Sequence, residues 1–223
     1  MNQTIAIIDY GSGNLRSAAK AFEHVIAAQG SGARVIVTDK ADDVAQADRI
    51  VLPGQGAFGD CIGGLRAVPG MVDALEDAVL KKGRPFFGIC VGMQLLATRG
   101  LEFGEHQGLG WIPGDVVKMT PTDKALKIPH MGWNNVRCTN AGAAHPVLQS
   151  ITNNSAGDGQ HFYFVHSFMV ESKNSEMIYA TGDYGGPVNA IIGRDNIIGT
   201  QFHPEKSQQA GLALIDGFLK WKP

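Results

Sequence analysis

Phe86-Phe87-Gly88-Ile89-Cys90-Val91-Gly92-Met93-Gln94-Leu95-Leu96 is the stretch on which the reading of this chain turns. Residues 85–89 form a short apolar run with the length and texture of a buried strand. After Cys90 the pattern reads as a helix that turns Leu95 and Leu96 inward. Cys90 stands at the junction, with a glycine two residues away on each side. A strand-to-helix turn that tight admits only glycine beside it and forces the middle side chain into the open, as in a nucleophile elbow. The same place is a helix N-terminus, where unpaired amides and the helix dipole favour thiolate over thiol. The blander reading is a structural cysteine buried on the turn.

Working outward, strand and helix patterns alternate on the N-terminal side of the elbow. Ile5-Ala6-Ile7-Ile8 is continuously apolar, as a parallel strand covered on both faces must be. A helix follows the loop Asp9 to Asn14, with Leu15, Ala18, Ala19, Phe22, Val25 and Ile26 at helical spacing and a stop near Gly30. Val35-Ile36-Val37 and residues 48–52 read as two more strands, the second broken at Pro53-Gly54-Gln55-Gly56. A helix over 59–82, interrupted at Pro69-Gly70, leads back to the elbow strand. This order implies an α/β fold with an open, largely parallel central sheet flanked by helices. Beyond Gly100 the runs 116–119, 162–165, 177–180 and 188–192 are short and separated by turns, so the second half adds extra antiparallel strands. Residues 153–159 are the most loop-like, and a helix over 206–221 closes the chain. The whole of 1–223 reads as a single domain.

Composition narrows the function classes. A 44% hydrophobic and 18% charged chain of 223 residues is an ordinary globular protein with a sizeable core. Its 29 glycines are nearly double the common ~7% share, which suits a site built from tight loops. Nineteen basic against 21 acidic residues leave a net charge of −2, so neither nucleic acid nor another polyanion is an implied partner. Cys61, Cys90 and Cys138 have no metal-like or disulfide-like spacing, and no metal or cofactor is expected. No apolar run approaches the ~20 residues that cross a bilayer, and the first residues lack a basic-then-apolar leader. A cytoplasmic protein without membrane contact is the expectation.

Two further segments carry chemistry. In Gln201-Phe202-His203-Pro204-Glu205, His203 and Glu205 are two apart, which on an extended chain puts both side chains on one side. A carboxylate beside an imidazole fixes its tautomer and stabilises the imidazolium, leaving the other ring nitrogen for a thiol proton. Leu52-Pro53-Gly54-Gln55-Gly56 ends a central strand and should share a sheet edge with Cys90. Its glycines let backbone amides at Gly54 and Gln55 aim inward as an oxyanion hole, with the Val91 amide as the other donor. Taken alone, that segment reads more readily as an ordinary glycine-rich strand-to-helix turn. Residues 9–14 invite a dinucleotide-loop reading, but Arg16 stands where that fingerprint needs glycine.

Gly88 through Gln94, together with His203-Pro204-Glu205, resembles the class I glutamine amidotransferase family. Segments 9–17, 52–60, 129–134, 163–168 and 201–207 resemble more closely its branch of glutaminase subunits of imidazole glycerol phosphate synthase. The resemblance implies hydrolysis of glutamine to glutamate and ammonia, the ammonia passing to a β/α-barrel cyclase subunit in a heterodimer of histidine biosynthesis. It implies Cys90 as nucleophile, His203 as acid/base and Glu205 as its orienting carboxylate. Gln94, Glu102 and the backbone around His166, Ser167 and Phe168 are implied to hold the substrate, although Thr98 to Leu101 beside Glu102 is atypical. Asn14, Met131, Trp133, Asn134 and Lys206 are implied to face the cyclase; the blander reading of 129–134 is a loop packed by Trp133. Gln55 departs from the small aliphatic residue usual there, and its peptide is expected to be misoriented until the cyclase is loaded. Another elbow-cysteine enzyme, such as a γ-glutamyl hydrolase or a glutaminase for another pathway, and a non-catalytic scaffold are the competing readings. Cys61, Cys138, His24, His106, His145 and His161 are expected to be structural or surface groups.

Overall fold

The computed structural model describes residues 3–153 and 159–223. Its N-terminal strands are β1 (Thr4–Ile8), β2 (Arg34–Thr38), β3 (Arg49–Gly54) and β4 (Phe86–Cys90). They are followed by β5 (Ala97–Gly100), β6 (His106–Gln107), β7 (Ile112–Lys118), β8 (His130–Cys138) and β9 (Gln160–His166). The last strands are β10 (Phe168–Ser172), β11 (Ile178–Asp183), β12 (Pro187–Arg194) and β13 (Ile197–Thr200). The helices are α1 (Leu15–Gln29), α2 (Ala41–Gln46), α3 (Phe58–Ala67), α4 (Met71–Leu75), α5 (Val91–Gln94), α6 (Asn140–Ala143), α7 (Gln149–Asn153) and α8 (Gln208–Lys220).

The main sheet runs β2-β1-β3-β4-β13-β12-β11-β8-β9. Its first five strands pair parallel, and from β13 onward each pairing is antiparallel. A second sheet, β10-β7-β5-β6, holds the rest of the C-terminal half. The N-terminal strands are apolar on both faces because helices cover both, and β3 and β4 are buried along their whole length. On one face α1 buries Ala18, Phe22, Val25 and Ile26, and Phe22 packs edge-on against Phe87 and against Phe218 of α8. Arg49 is buried at the start of β3 and donates to the carbonyls of Phe218 and Trp221, tying the end of α8 to the sheet.

Three sequence expectations and one alternative reading are corrected here. The helix after Cys90 is a single turn, and Leu95 and Leu96 are buried in the link to β5 rather than on a continuing helix. Strand β3 does not break at Pro53: Pro53 pairs Ile89 and Gly54 pairs Cys90. The β1–β3 ladder ends at Val51, so the missing proline N–H leaves no ladder bond unmade on that side. Residues 129–134 are not a loop packed by Trp133; 130–138 form β8, and Trp133 is half-exposed. The helix read over 59–82 is α3, α4 and a final π-helical stretch, Glu76–Lys81, with the break at Pro69-Gly70 as expected. Of the loop-like segment 153–159, residues 154–158 lie outside the described residues.

Candidate active site

Parallel pairing brings the carboxyl ends of β3, β4 and β13 to one edge. Gly54 lies opposite Cys90, and Thr200 lies opposite Ile89. In an open parallel sheet, that edge is where a crevice for ligands forms. Cys90 has φ 55° and ψ −112°, a backbone conformation that L-residues avoid and that costs of order 1–3 kcal/mol. The neighbouring glycines are what let the turn close. A Cβ on Gly92 would collide with the Leu52 carbonyl oxygen, and one on Gly54 would lie 2.5 Å from the Gly92 nitrogen. The sequence thus pins β4 and α5 against β3 with no side chain between them.

A cavity of about 220 Å³ opens there, lined among others by Cys90, Gln94, Glu102, His166, Phe168 and His203. His203 Nδ1 lies 2.9 Å from Glu205 Oε1, both side chains being nearly buried. The pair is set by a 3₁₀ turn, Pro204–Lys206, and not by the strand alternation that the two-residue spacing suggests. His203 Nε2 and Glu205 Oε2 are buried and make no hydrogen bond among the described residues. Burial alone would push His203 down, but the Cys90 sulfur and the Glu205 carboxylate favour its charged form more strongly, and its pKa rises to about 10. The site therefore presents a cysteine sulfur beside an imidazole whose charged form both neighbours favour, with a carboxylate behind it.

Around this core the polar side chains are directional. Gln94 Nε2 donates to the Phe168 carbonyl at 2.9 Å and to Gln201 Oε1 at 3.1 Å, so both its hydrogens are used. Gln201 Nε2 in turn points at the Cys90 sulfur, 3.8 Å away. Glu102 Oε2 accepts the Phe58 N–H at 2.8 Å, at the N-terminus of α3. The Gln55 N–H is turned to Ser12 Oγ at 3.1 Å, so this amide is not available to an oxyanion at Cys90. Tyr10, whose hydroxyl is raised far above its usual pKa chiefly by burial, donates to the Pro53 carbonyl at 2.9 Å.

Comparison with known proteins agrees with this geometry. The profile of the family "Glutamine amidotransferase class-I" matches residues 6–220. The chain belongs to this family. It is 58% identical to the imidazole glycerol phosphate synthase subunit HisH of Brucella suis biovar 1 (strain 1330), covering 98% of this chain and 99% of that protein. The HisH subunit of Agrobacterium fabrum (strain C58 / ATCC 33970) is also 58% identical, with the same coverage. A solved glutamine amidotransferase structure superposes with TM-score 0.64 at 15% identity, covering 93% of this chain and 94% of that one, a likeness of fold.

Gln94, Glu102, His166, Ser167 and Phe168, the residues expected to hold the substrate, all line the cavity beside Cys90. His166 contributes no free ring nitrogen, since Nε2 meets His130 Nδ1 and Nδ1 meets the Phe168 carbonyl, each at 2.9 Å. Of the residues expected to face a partner, Met131 and Trp133 are exposed at 61% and 49%, large apolar groups left in water. Lys206 Nζ sits 6.0 Å from the centre of the Tyr163 ring. Asn14 precedes α1 without a side-chain cap, and Asn134 turns inward to His130 and the Asp183 carbonyl. Sequence reasoning gave no role to Tyr10 or Gln201, and placed Ser12 and His130 only within segments expected to face the cyclase. Gln201 left a trace, as a polar side chain ending an apolar strand run. Cys61 is buried against Ser12 and the Gln55 carbonyl, and Cys138 is half-buried. No cluster of three or more potential metal ligands occurs among the described residues, and no helix there is long and apolar enough to cross a membrane.

Proposed function

We infer that this chain is the glutaminase subunit of imidazole glycerol phosphate synthase in histidine biosynthesis. The observation that carries the chemistry is the buried His203–Glu205 pair, with its second ring nitrogen unclaimed, beside a cysteine on a strained elbow. His203 takes the Cys90 proton, and Glu205 stabilises the resulting imidazolium. The sulfur attacks the carboxamide carbon of glutamine, forming an oxyanion for the Val91 and Gln55 amides once the Gly54–Gln55 peptide has turned. The tetrahedral adduct collapses as His203 returns its proton to the leaving nitrogen, which departs as ammonia and leaves a γ-glutamyl thioester. Water then attacks the thioester, His203 accepting its proton, and glutamate leaves the restored thiol. Glu102 and Gln94 hold the amino-acid end of the substrate. The ammonia goes to a cyclase subunit of β/α-barrel form in the cytoplasm, and exposed Met131 and Trp133 on β8 belong to the surface that receives it.

Replacing Cys90 with Ala tests both halves of this reading. Glutamine-dependent synthesis by the two-subunit enzyme is expected to vanish while synthesis from added ammonia persists. Loss of both activities would overturn the division of labour between subunits. Retention of both would overturn Cys90 as nucleophile, and with it the glutaminase mechanism.

A further inference from the structure

His130 on β8 and His166 on β9 are register partners, and the imidazoles bond at 2.9 Å in the interior. The donors and acceptors around them leave one arrangement of protons. The Phe168 carbonyl can only accept, so His166 Nδ1 carries a hydrogen. In a neutral ring its Nε2 is then an acceptor, and His130 Nδ1 must donate to it. His130 Nε2 is left as an acceptor for Asn134 Nδ2, 3.2 Å away. Asn134 cannot reverse its amide, because Nδ2 also donates to the Asp183 carbonyl at 2.7 Å and Oδ1 accepts the Asn135 N–H at 2.7 Å. Burial holds both imidazoles neutral, His130 down to about 4 and His166 to about 3.

The Phe168 carbonyl, where the donors of His166 and Gln94 converge, joins the histidines to the amides around Cys90. The Phe168 carbonyl uses its second lone pair for Gln94 Nε2, whose other hydrogen goes to Gln201 Oε1. That orients the Gln201 amide with its N–H toward the Cys90 sulfur. Continuous hydrogen bonds thus join Asn134, beside the exposed Trp133, to the Cys90 sulfur.

We propose that His130 is a positioning residue for glutamine hydrolysis: its Nδ1–H holds the His166 ring, and through it the Phe168 carbonyl to which Gln94 donates beside Cys90. This rests on the glutaminase reading of the Cys90 pocket. The ring of His130 also stacks between Phe164 and Tyr184, with centroids 4.7 and 4.0 Å away, so a structural role has to be separated from a directional one.

His130→Phe keeps a flat ring in that stack and removes both nitrogens. His130→Gln supplies a donor and an acceptor without the ring. In the two-subunit enzyme, His130→Phe should lower kcat/KM for glutamine about 10- to 100-fold, the scale of misplaced catalytic groups, with ammonia-dependent synthesis unchanged. His130→Gln should recover most of that loss. Unchanged kcat/KM in His130→Phe, or His130→Gln no better than His130→Phe, would overturn the proposal. Nitrogen NMR of the wild-type enzyme decides the matter even if a variant does not fold. Both rings should carry hydrogen on Nδ1 alone, and any other protonation pattern refutes the relay. Persistent glutamine hydrolysis in Cys90→Ala would strike instead at the assignment of the pocket.

Discussion

The backbone of Gln55 is gripped on both sides by one side chain: Ser12 Oγ accepts its N–H at 3.1 Å and donates to its carbonyl. Cys61 also donates to that carbonyl, and Tyr10 holds the preceding Pro53 carbonyl. The loop between β1 and α1 therefore clamps residues 53–55 in an orientation that turns the Gln55 amide away from Cys90. Ser12→Ala removes the grip on the N–H. Losing a hydrogen bond of about 0.5–1.5 kcal/mol should raise glutamine hydrolysis by the isolated subunit about 3- to 10-fold and shrink its stimulation by the loaded cyclase. Steady-state glutamate release with and without cyclase checks this; an unchanged or lower basal rate would show that the clamp does not restrain turnover.

Glu205 matters through His203. Its Oε1 meets Nδ1, and it shares with Cys90 the work of raising the His203 pKa to about 10 against the opposing effect of burial. Glu205→Gln keeps the shape and removes the charge. His203 should then titrate at lower pH, and kcat for glutamine should fall by about 10²–10⁴, the range for loss of acid–base function. A pH series of Cys90 alkylation, read beside glutamine turnover, measures both effects. A His203 titration that stays in place in Glu205→Gln would show that the carboxylate only positions the ring.

The elbow predicts opposite outcomes for two glycines. Gly92→Ala drives a methyl into the Leu52 carbonyl across the β3–α5 contact, where nothing flexible can yield. It should cost about 1–3 kcal/mol of stability and slow alkylation of Cys90, because the turn that presents the sulfur must shift. Gly63 is exposed within α3 and has open space where its Cβ would go. Gly63→Ala should stabilise by about 0.5–1 kcal/mol through helix propensity alone. Urea unfolding of both variants tests the pair, and destabilisation by Gly63→Ala would contradict the open surface described there.

The parallel half of the sheet was legible because burial on both faces writes itself as unbroken apolar runs, as at Ile5–Ile8 and Phe86–Ile89. Cys90, His203 and Glu205 were legible because glycine, proline and short spacing carry local geometric meaning. Strand β8 was not, because Met131 and Trp133 alternate with Gly132 and Asn134 in a pattern that matches neither a core strand nor a surface one. The Ser12 clamp and the His130–His166 pair join residues 43 and 36 positions apart, through single hydrogen bonds that leave no periodicity. Pro53 misled for a different reason: its cost in a strand depends on which neighbour needs its N–H, and that is a fact of sheet order.

Stability should have an acid limb set by buried histidines. His130, His145 and His166 are desolvated, so their pKa values fall below the ordinary 6.5, to about 4, 4 and 3. Between pH 6.5 and about 4 the unfolded chain binds protons that the folded chain refuses, and stability drops as pH falls through that window. His203 acts the other way. Its raised pKa stabilises the fold fully below pH 6.5, and that contribution is lost as pH rises through about 10. His145 offers the cleanest test, because it lies away from the Cys90 pocket. Its Nδ1 accepts the Val147 N–H at 3.3 Å, and its ring packs against Tyr179 and Trp221. Protonating Nδ1 forfeits that bond. His145→Gln should therefore lose less Tm than the wild type between pH 7 and pH 5 while matching it above pH 8 in slope. Parallel acid limbs for the two proteins would assign the drop to carboxylates instead of the buried imidazoles.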